Sequence, residues 1–166
     1  MKFLPALFLS LAAGAAWAGD PFIAHVVGVA DGDTVTVLVR DPARSIRVRL
    51  ANIDAPEKGQ AFGQACRQSL ASKVFRHDVT VRPIPGDDHD RYGRLVAALD
   101  LGGVDINLAQ LREGCAWHYV GYARRNQSAA DFGTYSAAER AAHDGRIGLW
   151  ADAHPVRPSD FRKGEQ

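Results

Sequence analysis

Three short segments carry residue types suited to breaking a phosphate ester: Asp31-Gly32-Asp33-Thr34, residues 48–57 (VRLANIDAPE) and Asp90-Arg91-Tyr92-Gly93-Arg94. Asp33 and Asp54 each sit where a turn meets a strand, so both can offer oxygens to a hard cation. Such an ion takes roughly 6–8 oxygens, and two carboxylates leave room for a carbonyl, water and a substrate oxygen. Glu57 follows Pro56, which limits its wandering, and a carboxylate there can orient or deprotonate an attacking water. Arg49 and Arg94 supply planar guanidinium forks that match phosphate oxygens. Phosphoryl chemistry needs mainly such positioning, with positive charge where negative charge accumulates. Each piece alone is ambiguous. Asp-Gly is a common turn pair, Glu57 reads equally as an exposed loop acid, and either arginine as a surface partner of a neighbouring aspartate.

These groups need elements to hold them. An apolar run over residues 25–30 leads into the Asp31-Gly32 turn. Residues 34–40 then alternate, with Val35, Val37 and Val39 on one face. Residues 45–50 repeat the pattern, placing Ile46, Val48 and Leu50 inward and Arg47 and Arg49 outward. Residues 41–44 form the turn between them. An amphipathic helix is predicted over 60–76, with Phe62, Cys66, Leu70 and Val74 as its inner stripe. Strands follow at 77–84 and 94–101, separated by an acidic loop. A helix over 105–113 shows Leu108 and Leu111 inward and Asn107, Gln110 and Arg112 exposed, and a longer helix spans 129–146. This order predicts a mainly β architecture with attached helices: a five-stranded OB-fold barrel with three helices.

Length and composition bound the rest. Lys2, the apolar residues 3–13 and Ala16-Trp17-Ala18 make the charged, apolar and small-x-small regions of a signal peptide, with cleavage after Ala18. The predicted organisation is a signal over 1–18, one domain over 19–152, and an extended tail over 153–166 marked by Pro155 and Pro158. An apolar run this short does not span a bilayer, so no stable membrane association is expected and the product is periplasmic or secreted. A domain of ~150 residues buries roughly 70% of its unfolded surface, enough for a single core. The 20 basic and 19 acidic side chains nearly balance, which excludes a polyanion binder working by bulk charge. Cys66 and Cys115 are a possible disulfide in an oxidising compartment, or two small core residues. No CxxC pattern suggests a metal thiolate site.

Other features are weaker. Asp87, Asp88, His89 and Asp90 read as a solvated acidic loop in preference to a second metal site. Trp117, Tyr119 and Tyr122 can stack bases or pack the core. His118 lacks a partner pattern and reads as structural or surface.

Taken together, DGDT, VRLANIDAPE and DRYGR, with Gly114-Cys115-Ala116 and Gly148-Leu149-Trp150 behind them, resemble the staphylococcal nuclease (thermonuclease, micrococcal nuclease) family over residues 25–150. The resemblance implies an exported bacterial enzyme with an OB-fold, acting as a monomer on DNA, RNA or both. It implies one calcium ion and products ending in a 3′-phosphate. Asp33, Asp54 and the backbone carbonyl of Ala55 would hold calcium, Arg49 and Arg94 the scissile phosphate, and Glu57 the attacking water. Arg91 and Tyr92 match positions that contact a nucleotide phosphate, and Tyr119 or Tyr122 would pack beside the bound nucleotide. Ala55 stands where the best-known member has threonine, so a hydroxyl contact is lost. Residues 58–62 are short and carry one lysine, so a longer basic substrate loop is missing. The alternative is a non-catalytic OB-fold domain that binds nucleic acid or protein. Such a domain should have lost at least one of the five charged residues, and all five are present. A third reading, a small exported structural or inhibitory domain, leaves the placed arginines unexplained.

Overall fold

The computed structural model describes residues 19–86 and 88–164, so the signal segment (1–18) and Asp87 of the acidic loop lie outside the described residues. The chain runs β1 (Phe22–Asp31), β2 (Thr34–Arg40), β3 (Ala43–Leu50), β4 (Ile53–Asp54), α1 (Gly63–Val74), β5 (Asp78–Pro83) and β6 (Leu95–Leu101). It continues through β7 (Val104–Asp105), α2 (Ile106–Arg112), β8 (Trp117–His118), α3 (Val120–Asn126), α4 (Ala129–Asp144), a 3-10 turn (Gly148–Ala151) and α5 (Pro158–Gly164).

Strand order β3-β2-β1-β5-β6-β7 is closed by a parallel pairing of β3 with β6, which makes a five-stranded barrel of β1, β2, β3, β5 and β6. The alternating valines do what their period requires: Val35, Val37, Val48 and Leu50 are fully buried, and Val26, Val81 and Leu99 meet them from the other strands. Leu70 and Val74 of α1 and Leu111 of α2 cap the core. The β2–β3 turn is tighter than residues 41–44, because Arg40 pairs directly with Ala43.

Closure has a consequence for the site. Val48 pairs with Leu95 and Arg49 with Val96, so Arg94, one residue before β6, arrives beside Arg49. The short pairing of β4 with β8 (Ile53 with His118, Asp54 with Trp117) pins the segment that carries Asp54.

Several expectations are corrected. Helix α1 begins at Gly63, and Phe62 is a half-buried residue at its left-handed entrance (φ 65°) instead of part of the inner stripe. Asn107 and Gln110 are not exposed but fully buried. Asn107 accepts from Leu99 N–H at 3.1 Å and donates to the Ala51 carbonyl at 3.0 Å; Gln110 donates to the Gly32 carbonyl at 2.8 Å. A polar side chain enters a core at low cost when backbone groups satisfy it, and here those groups belong to turns that need holding. The tail is not extended throughout, since Pro158–Gly164 is helical, and α3 adds a further helix beyond the three expected. His118 is structural: it is buried, with ring nitrogens 3.1 Å from Ser136 Oγ and 3.0 Å from Gln127 Oε1.

Candidate active site

One open pocket of about 600 Å³ is lined by Asp33, Arg49, Asp54, Ala55, Glu57 and Arg94 together. Residues from three separate stretches of chain therefore share a wall. Arg91, Tyr92, Tyr119 and Tyr122 line the same pocket.

Arg49 is the hub. It leaves the core side of β3 and enters the pocket only 13% exposed, with Nη1 3.0 Å from Asp33 Oδ2 and Nη2 2.8 Å from Asp54 Oδ1. Nη1 also donates to the carbonyls of Leu50 (2.7 Å) and Ile53 (2.8 Å). A guanidinium so tied has little rotamer freedom left, and it aligns both carboxylates. Asp33 Oδ2 further accepts from Ala55 N–H at 2.7 Å, which joins the first acidic segment to the second. Gly32 makes that approach possible: a Cβ there would come within 2.7 Å of the Ala55 Cβ.

Arg94 is held on one edge. Its Nε and Nη2 lie 2.7 and 2.6 Å from Asp90 Oδ2, and Nη1 donates to Thr34 Oγ1 at 3.3 Å. Burial pushes the Asp90 carboxyl up, but the backbone N–H groups of Arg94 and Tyr92 and the Arg94 fork together hold it below the usual carboxylate range. Gly93 at φ 72° gives the turn that lets Asp90 reach back to residue 94.

The acidic side of the pocket is crowded. Burial and then the neighbouring Asp33 charge push Asp31 up to about 7. Burial also raises Asp54, with Arg49 pulling the other way and Asp33 adding to the rise. Asp33 and Asp54 share the Arg49 guanidinium and both line the pocket, so two carboxylate groups stand together where a hard divalent cation takes its oxygens, and the donor set fits calcium. Among the described residues no three His, Cys, Asp or Glu side chains form a metal-ligating group. The Asp33 and Asp54 carboxylates would therefore need carbonyl, water and substrate oxygens to complete a shell, as two-carboxylate donor sets require.

Tyr92 is 64% exposed, its hydroxyl 2.6 Å from Arg91 Nη2 and its ring 4.8 Å from the Arg91 guanidinium carbon. Tyr119 and Tyr122 sit at the rim with ring centroids 4.9 Å apart. Trp117, by contrast, is buried and packs edge-on against Trp150 at 5.4 Å, so of the three aromatics it is a core residue. Cys66 and Cys115 are buried free thiols; the nearby Cys115 thiol, then burial, pushes the Cys66 thiol up.

Two contributors escaped the sequence reading. Asp31, in the first motif, lines the pocket beside Asp33. Arg162, from α5, lines the pocket, pairs with Glu57 and sits 3.4 Å from Asp54 Oδ2. Nothing local in the sequence around Arg162 points to an acidic partner about a hundred residues away.

The family described as staphylococcal nuclease homologue matches residues 47–152. The chain is 40% identical over 160 residues to a micrococcal nuclease of Shigella flexneri, covering 91% of this chain and 85% of that protein. It is 39% identical over 142 residues to an uncharacterized endonuclease of Haemophilus influenzae, covering 86% of this chain and 74% of that one. Protein ParB of Escherichia coli is 40% identical over 172 residues, covering 98% of this chain and 90% of that protein.

Proposed function

The chain belongs to the staphylococcal nuclease family, and from that premise we propose that it is an exported, calcium-dependent, monomeric nuclease hydrolysing phosphodiester bonds of DNA, RNA or both and leaving 3′-phosphate ends. The observation that carries this reading is the meeting of Asp33, Arg49, Asp54, Glu57 and Arg94 in one pocket.

Calcium bound by Asp33, Asp54 and the Ala55 carbonyl would supply a Lewis acid beside the phosphate oxygens. The protein's own groups do the rest. Glu57 holds the attacking water through its carboxylate, either taking its proton or aligning it. Arg49 and Arg94 donate to the non-bridging oxygens, whose charge grows as the water oxygen bonds to phosphorus. The bond from phosphorus to the 5′ oxygen then breaks, the departing 5′ oxygen takes a proton, and phosphate remains on the 3′ side. Arg91 and Tyr92 would grip a flanking phosphate, and the Tyr119 and Tyr122 rings would lie along the nucleotide.

The direct test is incubation of the purified protein with plasmid and with single-stranded nucleic acid, in calcium and in chelator. Degradation should require calcium, and the fragments should prime a polymerase only after phosphatase treatment. Binding without degradation would instead favour a non-catalytic OB-fold domain.

Export through a signal cleaved after Ala18, to periplasm or medium, belongs to the same proposal. An oxidising compartment would let the adjacent Cys66 and Cys115 close into a bridge; spanning a loop of this length, it is worth about 4 kcal/mol. The intact mass of the exported protein checks both: a chain starting at Gly19, lighter by two hydrogens. A start elsewhere, or full-mass thiols, would remove the corresponding part.

A further inference from the structure

Residues 153–164 lie beyond the stretch that matches the family, 47–152, yet they reach the pocket. Pro158 is buried at the start of α5, and Val156 and Phe161 line a second groove with Phe62, Trp117 and Leu149. This apolar seat orients a helix of seven residues that would not persist alone in water. It also aims Arg162 at the pocket.

We infer that the C-terminal helix is part of the active site, and that Arg162 is a positioning residue that holds the Glu57 carboxylate toward the reacting phosphate. The inference rests on the nuclease reading above.

The tail grips the Glu57 loop at two points. Arg162 Nη1 pairs with Glu57 Oε1 while Nη2 stands 3.4 Å from Asp54 Oδ2, so one guanidinium spans both carboxylates. Gln60 forms the second link. Its Oε1 accepts from Glu57 N–H at 3.1 Å and its Nε2 donates to the Val156 carbonyl. The other side of the loop is closed by α1, since a Cβ on Gly63 would lie 1.9 Å from the Glu57 carbonyl oxygen. The loop backbone is thus fixed, and the side chain is left to be fixed by Arg162.

A glutamate has three rotatable bonds, and at 33% exposure the Glu57 side chain is not confined by packing alone. Ordering such a chain costs conformational entropy, part of which the ion pair has already met before substrate arrives. Reacting groups misplaced by ~1 Å lose on the order of 100-fold in rate. A fork also orients a carboxylate in a way that a lysine ammonium, a point charge, does not.

The experiment is steady-state kinetics on a short oligonucleotide for Arg162→Ala, Arg162→Lys and the control Lys163→Ala, whose amine pairs with Asp160 on the exposed side of α5. Arg162→Ala should lower kcat by about 10–100-fold while KM moves by less than about threefold. Arg162→Lys should restore part of kcat, and Lys163→Ala should match the wild type. Unchanged or raised kcat in Arg162→Ala would overturn the proposal, and so would a rise in KM with kcat kept, the mark of a phosphate contact. A cycle of Arg162→Ala and Glu57→Gln, read as urea midpoints of the metal-free protein, checks the pairing without activity. Non-additive shifts support it and additive shifts overturn it. An inert wild type would sink the nuclease reading, and the unfolding cycle would still decide the contact.

Discussion

Arg94→Gln is expected to lower kcat by about 10³-fold, or ~4 kcal/mol on the barrier, in a protein that still folds. The size follows from where the guanidinium stands. Asp90 and Thr34 fix its orientation, so it meets a phosphate already aligned and loses little entropy on binding. Positive charge placed that way acts most strongly where the phosphate gains negative charge, which is the transition state. The folding cost is small by comparison. Asp90 Oδ1 still accepts from the N–H groups of Tyr92 and residue 94, so only its charged partner is lost, on the order of 1 kcal/mol. Circular dichroism and urea unfolding separate the two effects. A rate within about tenfold of the wild type would detach Arg94 from the transition state, since one preorganised donor alone is ordinarily worth more.

Glu57→Gln is expected to cost about 10²–10⁴-fold in kcat, the range for removing a positioned acid–base group. The amide keeps the shape, so calcium affinity and KM should hold while the negative charge beside the water disappears. Stability should fall by no more than about 1 kcal/mol, because Glu57 and its partner Arg162 are both about a third exposed and such pairs contribute roughly 0.2–1 kcal/mol, a shift that urea midpoints still resolve. Glu57→Asp distinguishes the two roles of the carboxylate. It retains a base but withdraws it by one methylene, so a loss as large as with glutamine would show that placement matters more than basicity. Full activity in Glu57→Gln would remove this residue from the site.

The barrel was legible because its strands announce themselves through a period of two. Val35, Val37 and Val39 alternate with Thr34, Thr36, Leu38 and Arg40, and the same phase put Arg49 on the outer face, where the structure finds it in the pocket. Alternation fails for α2. Asn107 and Gln110 are polar and therefore read as exposed, although both are fully buried on the carbonyls of Ala51 and Gly32. Helical spacing reports which residues dislike water, and it is blind to a polar group whose hydrogen bonds are all met inside. Trp117 was ambiguous for a related reason: an aromatic residue serves core and ligand equally well, and only its contact with Trp150 decides.

Chemical identity and strand periodicity are local properties, so which side chains can do phosphate chemistry and which strand faces are apolar can be read along the chain. Closure is not local. The parallel pairing of β3 with β6 that sets Arg94 beside Arg49, and the docking of α5 that brings Arg162 to Glu57, depend on contacts between distant stretches of chain. Their free energy comes from surfaces that exist only once the barrel has formed, and no nearby residue carries their signature. Which of the chain's many charged groups share one pocket therefore emerges only in the closed barrel with its tail docked.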